Sequence, residues 1–195
     1  MLFTASTVAA IFTFLSVSSA IPTPWPQDSN TYEYPATTST YTVSTGHIEY
    51  DIVDGSIYRE LGSNKDNTTL VNFYTSSKHI GKTCEFVFEM DGPNPYHGDG
   101  VLFDVFRSTK PIVGYGLPDP QSNYRGDFIG RMKAVGGGWA VPHDPSTKKE
   151  DFQFPCPPAD PKGESPSVSF ELAPVGDSAD IKWHKTQDGP IMTYW

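Results

Sequence analysis

The sequence predicts an all-β protein: a single-domain antiparallel β-sandwich, jelly-roll-like, closed by one disulfide. Three observations predict it. Apolar residues recur at every second position in segment after segment, the period of a strand that buries one face. Rings are plentiful and charges sparse, at 13% aromatic and 19% charged with 17 Gly and 18 Pro, which favours short strands and turns over long helices. No window of about eleven residues carries a convincing helical stripe.

Residues 1–20 read as a secretory signal peptide. Val8–Leu15 (VAAIFTFL) is a short apolar run, and Ser18-Ser19-Ala20 offers small side chains for cleavage after Ala20. The run is shorter than the roughly 20 residues a membrane span needs. Residues 21–40 differ again. Pro22, Pro24, Pro26 and Pro35 stand among five threonines and two serines, the composition of a Pro/Thr/Ser-rich linker or pro-segment. The sandwich is expected over residues 41–195.

Within that domain Ile48, Tyr50 and Ile52 alternate with polar neighbours, and so do Cys84, Phe86, Phe88 and Met90. The same holds for Val168, Phe170 and Leu172, and for Ile181 and Trp183. Each set predicts a strand with apolar residues on one face and polar ones on the other. Further strands are predicted at 69–74, 101–106, 128–135, 152–156 and 191–195, giving about nine. Cys84 falls in step with Phe86 and Phe88, and Cys156 with Phe152 and Phe154. Both sulfurs should point inward and bridge, a constraint on the order of 4 kcal/mol.

A net charge of −9, with no Lys or Arg before Arg59 and no basic run longer than Lys148-Lys149, argues against nucleic acid and anionic membranes as partners. Asn67-Thr68-Thr69 is an N-glycosylation acceptor in a polar stretch, in keeping with export. An isolated cysteine pair in an oxidising compartment bridges more readily than it binds zinc. Residues 191–195 are too short for the removed tail of a lipid anchor, so no membrane anchor is expected.

The search for reactive groups returns no catalytic, metal or cofactor motif. Gly163–Ser167 misses the nucleophile elbow at its last position, and Gly136-Gly137-Gly138 lacks the helix and lysine that cradle phosphate and reads as a turn. The histidines, His47, His79, His97, His143 and His184, are scattered. Glu49, Asp51 and Asp54 form one acidic edge, and Asp177 with Asp180 another. Glycoside hydrolysis would need a carboxylate pair at a defined separation. Arg125-Gly126-Asp127 is an adhesion-like tripeptide with a high chance rate. Trp139, Tyr115 and Tyr124 lie in the irregular stretch 110–151 and are candidates for an aromatic platform that stacks a sugar ring.

Several segments carry a family likeness. Thr69–Phe73, Gly81–Phe88 (GKTCEFVF) and Phe103–Phe106 resemble, in order, parts of the fungal But-two C-terminal domain family, named for a binder of a ubiquitin-like-modifier activating enzyme. Gly126–Gly130, Phe154–Pro157, Ser169–Leu172, Gly176-Asp177 and Asp180–Trp183 extend the likeness over about residues 41–195. The resemblance implies a secreted or wall-associated fungal β protein with its cysteines paired and no established catalytic residues. The family name also implies a ubiquitin-like-pathway partner, which the leader and the glycan acceptor put in a different compartment. The expected function is a non-catalytic cell-wall or extracellular binding module, acting on wall polysaccharide or a host surface. The alternatives are a secreted hydrolase of polysaccharide and a binder of the ubiquitin-like machinery.

Overall fold

The computed structural model describes residues 31–91, 98–111, 124–158 and 167–195. Residues 1–30, with the expected cleavage site after Ala20, and His97 and Tyr115 lie outside them. Among the described residues the chain forms β1 (Tyr32–Glu33), β2 (Thr37–Thr42), β3 (His47–Glu49), β4 (Asp54–Glu60), β5 (Asn67–Tyr74), β6 (Thr83–Glu89) and β7 (Leu102–Ser108). There follow β8 (Arg125–Lys133), β9 (Val141–Pro142), β10 (Gln153–Pro155), β11 (Ser167–Pro174), β12 (Ser178–His184) and β13 (Gly189–Tyr194). Two short 3₁₀ turns, Ser77–His79 and Lys149–Phe152, complete it. All strand pairs are antiparallel.

The strands make two sheets. A four-stranded sheet runs β1-β13-β6-β10, and a nine-stranded one runs β12-β4-β5-β11-β7-β8-β9, with β2 pairing to β5 and β3 to β2. The apolar faces meet. Phe86 of the small sheet packs on Phe170 of the large one at 4.7 Å between ring centres, and Phe88 on Phe103 at 4.8 Å. Phe73, Phe86, Phe88, Phe103 and Phe170 are all fully buried, each contributing about 2–3 kcal/mol of hydrophobic stabilisation. The disulfide forms as its register demands. Cys84 and Cys156 are both buried, with Cα atoms 4.9 Å apart, and they tie β6 to the chain leaving β10. With the cysteines 72 positions apart in sequence, the constraint on the unfolded chain is about 4 kcal/mol.

Trp183 shows how tightly the sheets close. A Cβ on Gly55 would sit 2.2 Å from its indole, and one on Gly189 2.1 Å from it. The ring lies in a slot cut by two absent side chains, with its edge against Phe88 at 5.3 Å. Any larger residue at either glycine forces the indole out.

Some expectations need correction. Pairing begins before Tyr41, because Tyr32–Glu33 joins β13 and Thr37–Thr42 joins β5. Threonines weak in apolar periodicity still make good strands, being β-branched, and Thr38 and Ser39 are buried there. The alternation over Ile48, Tyr50 and Ile52 does not give one strand. β3 stops at Glu49 and Asp51 turns to φ +48, a left-handed state that Asp tolerates, which lets the Ile52 amide bond the Thr38 carbonyl at 2.8 Å. Nor are the polar faces of β6 and β11 simply solvated. Glu85, Val87, Ser169 and Glu171 are buried.

The β4–β12 ribbon is bound to β5 largely by side chains. Asn67 Oδ1 accepts from the Tyr58 amide at 2.8 Å while Asn67 Nδ2 donates to Ser56 Oγ at 3.2 Å. Thr69 Oγ1 accepts from the Ser56 amide at 3.2 Å and donates to the Ser56 carbonyl. The amide and hydroxyl thus replace ladder bonds that the diverging backbones cannot make.

Candidate functional site

The outer face of the four-stranded sheet follows from its register. Phe86, Phe88 and Met192 point between the sheets, so Glu85, Val87, Glu89, Ile191 and Thr193 lie on the opposite face, where all but the half-buried Glu89 are fully covered. Tyr32 pairs with Thr193, which puts Tyr32 and Tyr34 on the same outer face. Trp139 arrives from another part of the chain. The Gly136–Gly138 segment turns back on Met90, with Gly137 at φ +74, the Met90 amide bonding the Gly138 carbonyl at 2.8 Å and the Gly137 amide bonding the Met90 carbonyl at 2.9 Å. This turn sets Trp139 opposite Glu89 in an isolated antiparallel bridge. The predicted turn is thus the device that positions the indole.

Trp139 stacks on Tyr32, with ring centres 6.0 Å apart and planes 19° from parallel. Tyr32 is 47% exposed and Tyr34 38%. Two carboxyls sit beside these rings. Burial, then the negative charges of Asp91 and Asp188, push Glu89 up from the usual carboxylate range. Burial likewise raises Asp188, although its Oδ1 accepts from the His184 amide at 2.8 Å, which works in the opposite direction. Tyr34 feels both carboxyls: burial raises its phenol first, Glu89 and Asp188 next. Asp188 is buried, so what the face offers is flat aromatic surface, the half-buried Glu89 carboxyl and a phenol, a donor and acceptor set that can grip a pyranose ring.

The platform expected from sequence is therefore partly redrawn. Trp139 is in it, but Tyr124 is not. Tyr124 precedes β8, at the end of that strand remote from Lys133 and the Trp139 turn. There it packs with Tyr41 and Tyr50 on the small cluster of Ile48 and Leu70, and Lys110 Nζ lies 5.2 Å from its ring centre. Sequence reasoning missed Tyr32, Tyr34, Glu89 and Asp188. The Tyr-x-Tyr spacing was a period-two signal, hidden because its surroundings read as linker.

The acidic edge of Glu49, Asp51 and Asp54 does converge. With Tyr50, Thr40 and Asn67 these residues line an open groove of about 560 Å³. All three carboxylates are exposed, and Lys185 Nζ sits 2.8 Å from Asp51 Oδ1. Glycosidase chemistry asks for one carboxyl kept protonated by an apolar surround, which this solvated groove does not provide. Asp177 is exposed and Asp180 lies 3.7 Å from Lys182 Nζ, so that second edge stays on the surface. No group of three His, Cys, Asp or Glu among the described residues could hold a metal ion. His47 and His143 are exposed, whereas His79 is buried against Tyr194 at 4.3 Å.

The Arg125-Gly126-Asp127 tripeptide is not a free loop. Arg125 opens β8 and forks onto the fully buried Glu171, Nε to Oε2 at 2.9 Å and Nη2 to Oε1 at 2.6 Å, with its guanidinium 4.4 Å from the Phe106 ring centre. Next to it Arg131 forks onto Asp104 at 2.7 and 3.1 Å. Asn67, the predicted glycan acceptor, is half-buried and engaged with Tyr58 and Ser56 as described. Its sequon partner Thr69 is fully buried.

No family model matches the chain, and no curated protein matches it. Among the described residues no helix is long and apolar enough to cross a membrane.

Proposed function

We propose that this chain is a non-catalytic, secreted binding module that holds a cell-wall polysaccharide against the outer face of its four-stranded sheet. The observation that carries the reading is the Tyr32–Trp139 stack beside Tyr34, Glu89 and Asp188. Stacked rings supply sequence-tolerant contact with the apolar faces of sugars, and the Glu89 carboxyl accepts from their hydroxyls. The disulfide fits an oxidising, extracellular setting. The strand order gives support at the level of fold. β1-β13-β6-β10 facing β5-β11-β7-β8 is the order of a jelly roll, with β2–β4, β9 and β12 added at its margins, and that architecture recurs among lectin domains. The segment likeness to the fungal But-two C-terminal family belongs to the same reading.

The test is retention of the mature protein on chitin, β-glucan and whole fungal walls. Retention should be at least tenfold weaker for Trp139→Ala, a half-buried residue whose loss leaves the core intact. No retention on any matrix, or equal retention of the variant, overturns the proposal. Cytosolic protein with Cys84 and Cys156 reduced would instead favour the ubiquitin-like-pathway partner.

One observation favours a second reading, a hydrolase acting on the same glycan. Glu89 and Asp188 are two carboxyls pushed upward beside the platform, the direction a general acid needs. Release of reducing ends that disappears in Glu89→Gln would establish it, and stable retention without release would remove it.

A further inference from the structure

The chain has four arginines. Three are neutralised at short range: Arg59 by Asp66 at 2.9 Å, Arg125 by Glu171 and Arg131 by Asp104. Arg107 has no carboxylate or other hydrogen-bonding partner among the described residues. Its position makes that unusual. In β7 it follows Phe103 and Val105 at the period of two, both fully buried, so it occupies an inward place at the end of the sandwich. Its guanidinium lies 4.4 Å from the ring centre of Phe154 in the small sheet and 5.1 Å from that of Phe170 in the large one. Such stacking holds the plane of the fork while leaving its in-plane N–H groups unused. Burial lowers the Arg107 pKa with nothing to offset it, the mark of a cation waiting for a counter-charge.

A cleft of about 140 Å³ opens beside it, lined by Arg107, Ser108, Thr109, Lys110, Ser167 and Ser169. Lys110 is exposed, with its ammonium over the Tyr124 ring. Ser108 Oγ is buried without a hydrogen-bond partner among the described residues, an arrangement that costs free energy unless a ligand or water completes it. No acidic residue lines the cleft among the described residues. In a chain of net charge −9, this is a local concentration of unanswered donors.

We propose that Arg107, Lys110 and Ser108 form a binding site for a small oxyanion, a phosphate group that is either free or carried as an ester on a glycan. The donors favour phosphate over a carboxylate. A planar fork, a point charge and a hydroxyl are three kinds of donor set around one cleft, and a tetrahedral anion can accept from all of them. On the same measure one water needs about 10–15 Å³, so the cleft has room for an anionic group.

The experiment uses the full mature protein, titrated with inorganic phosphate against chloride at constant ionic strength and read by the thermal midpoint and by calorimetry. Glucose 6-phosphate against glucose forms the second arm. The expected result is a saturable rise in midpoint with phosphate. Binding should be about tenfold weaker in Lys110→Ala, where one charge-assisted contact is lost, and undetectable in Arg107→Met. Saturation by glucose 6-phosphate as well identifies the esterified source, and saturation by inorganic phosphate alone identifies the free anion. If Arg107→Met fails to fold, the exposed Lys110→Ala decides. No saturable effect of either phosphate, or undiminished binding in Lys110→Ala, overturns the proposal.

Discussion

The outer faces of the two sheets are built from similar material and put to different use. The face of the nine-stranded sheet carries Arg125 forked onto Glu171, Arg131 forked onto Asp104, Ser169 bonded to Asn72 at 2.6 Å, and Phe106 against Phe128 at 5.5 Å. Both arginines there are answered, Arg131 by its cross-strand neighbour Asp104 and Arg125 by Glu171 across the intervening β7, which makes the face a zipper. The face of the four-stranded sheet carries Tyr32, Tyr34 and Trp139 with Glu89 and Asp188. There burial first, and then the charges of Asp91 and Asp188, raise Glu89. Satisfied polar ladders rigidify a fold. Rings left half-bare beside carboxyls held up in pKa mark a surface that meets something else.

Four substitutions sharpen that contrast. Removing the disulfide with Cys84→Ala/Cys156→Ala should cost about 4 kcal/mol, the largest effect, because it frees the edge on which the small sheet closes; denaturant melts would show it. On the zippered face, Arg125→Met should cost about 3 kcal/mol by stranding the buried Glu171. Arg125→Met/Glu171→Met should recover most of that loss. A single variant as stable as the wild type would mean that the ladder is ornamental. On the open face, Trp139→Ala should cost only about 1 kcal/mol of stability while abolishing retention on walls. A loss as large as that of Arg125→Met would make Trp139 a structural residue and erase the distinction.

The smallest effect concerns pH. Glu89 and Asp188 are raised in the folded state, so their contribution is fully present below the unfolded carboxylate values near 4 and is lost as pH rises through the folded ones. Glu89→Gln should therefore stabilise at pH 8 by about 0.5 kcal/mol after solvent screening, and the gain should vanish near pH 4. His79 runs the other way. Burial lowers it, and its Nδ1 accepts from the Ser76 amide at 2.9 Å. Its contribution is whole above about 6.5 and fades as pH falls through the folded value. Replacing it with Gln should flatten melting midpoints below pH 6.5.

The sequence was most informative where one face of a strand is buried. Cys84-x-Phe86-x-Phe88 and Val168-x-Phe170-x-Leu172 point inward as their period requires, and the sulfurs pair because both follow it. It was silent where partners decide. Glu171 looked solvated because its neutralising arginine comes 46 residues earlier, and no local window contains both. Trp139 was visible as a candidate, but the choice between Tyr124 and Tyr32 depends on which strand end the Gly136–Gly138 turn folds toward. Asp51 broke the alternation from Ile48 to Ile52 by a backbone rotation that side-chain periodicity does not encode.

The two-glycine slot around Trp183 gives the molecule a built-in optical gauge. This indole is 4% exposed and its Nε1 has no hydrogen-bond partner, so it should emit at the blue end of the tryptophan range, whereas the half-bare Trp139 and the exposed Trp195 emit further to the red. Because Trp183 rides on β12, departure of the β4–β12 ribbon alone would shift emission before the rest of the sandwich melts. A fluorescence colour change that precedes loss of the far-ultraviolet signal would time that peeling without any added label.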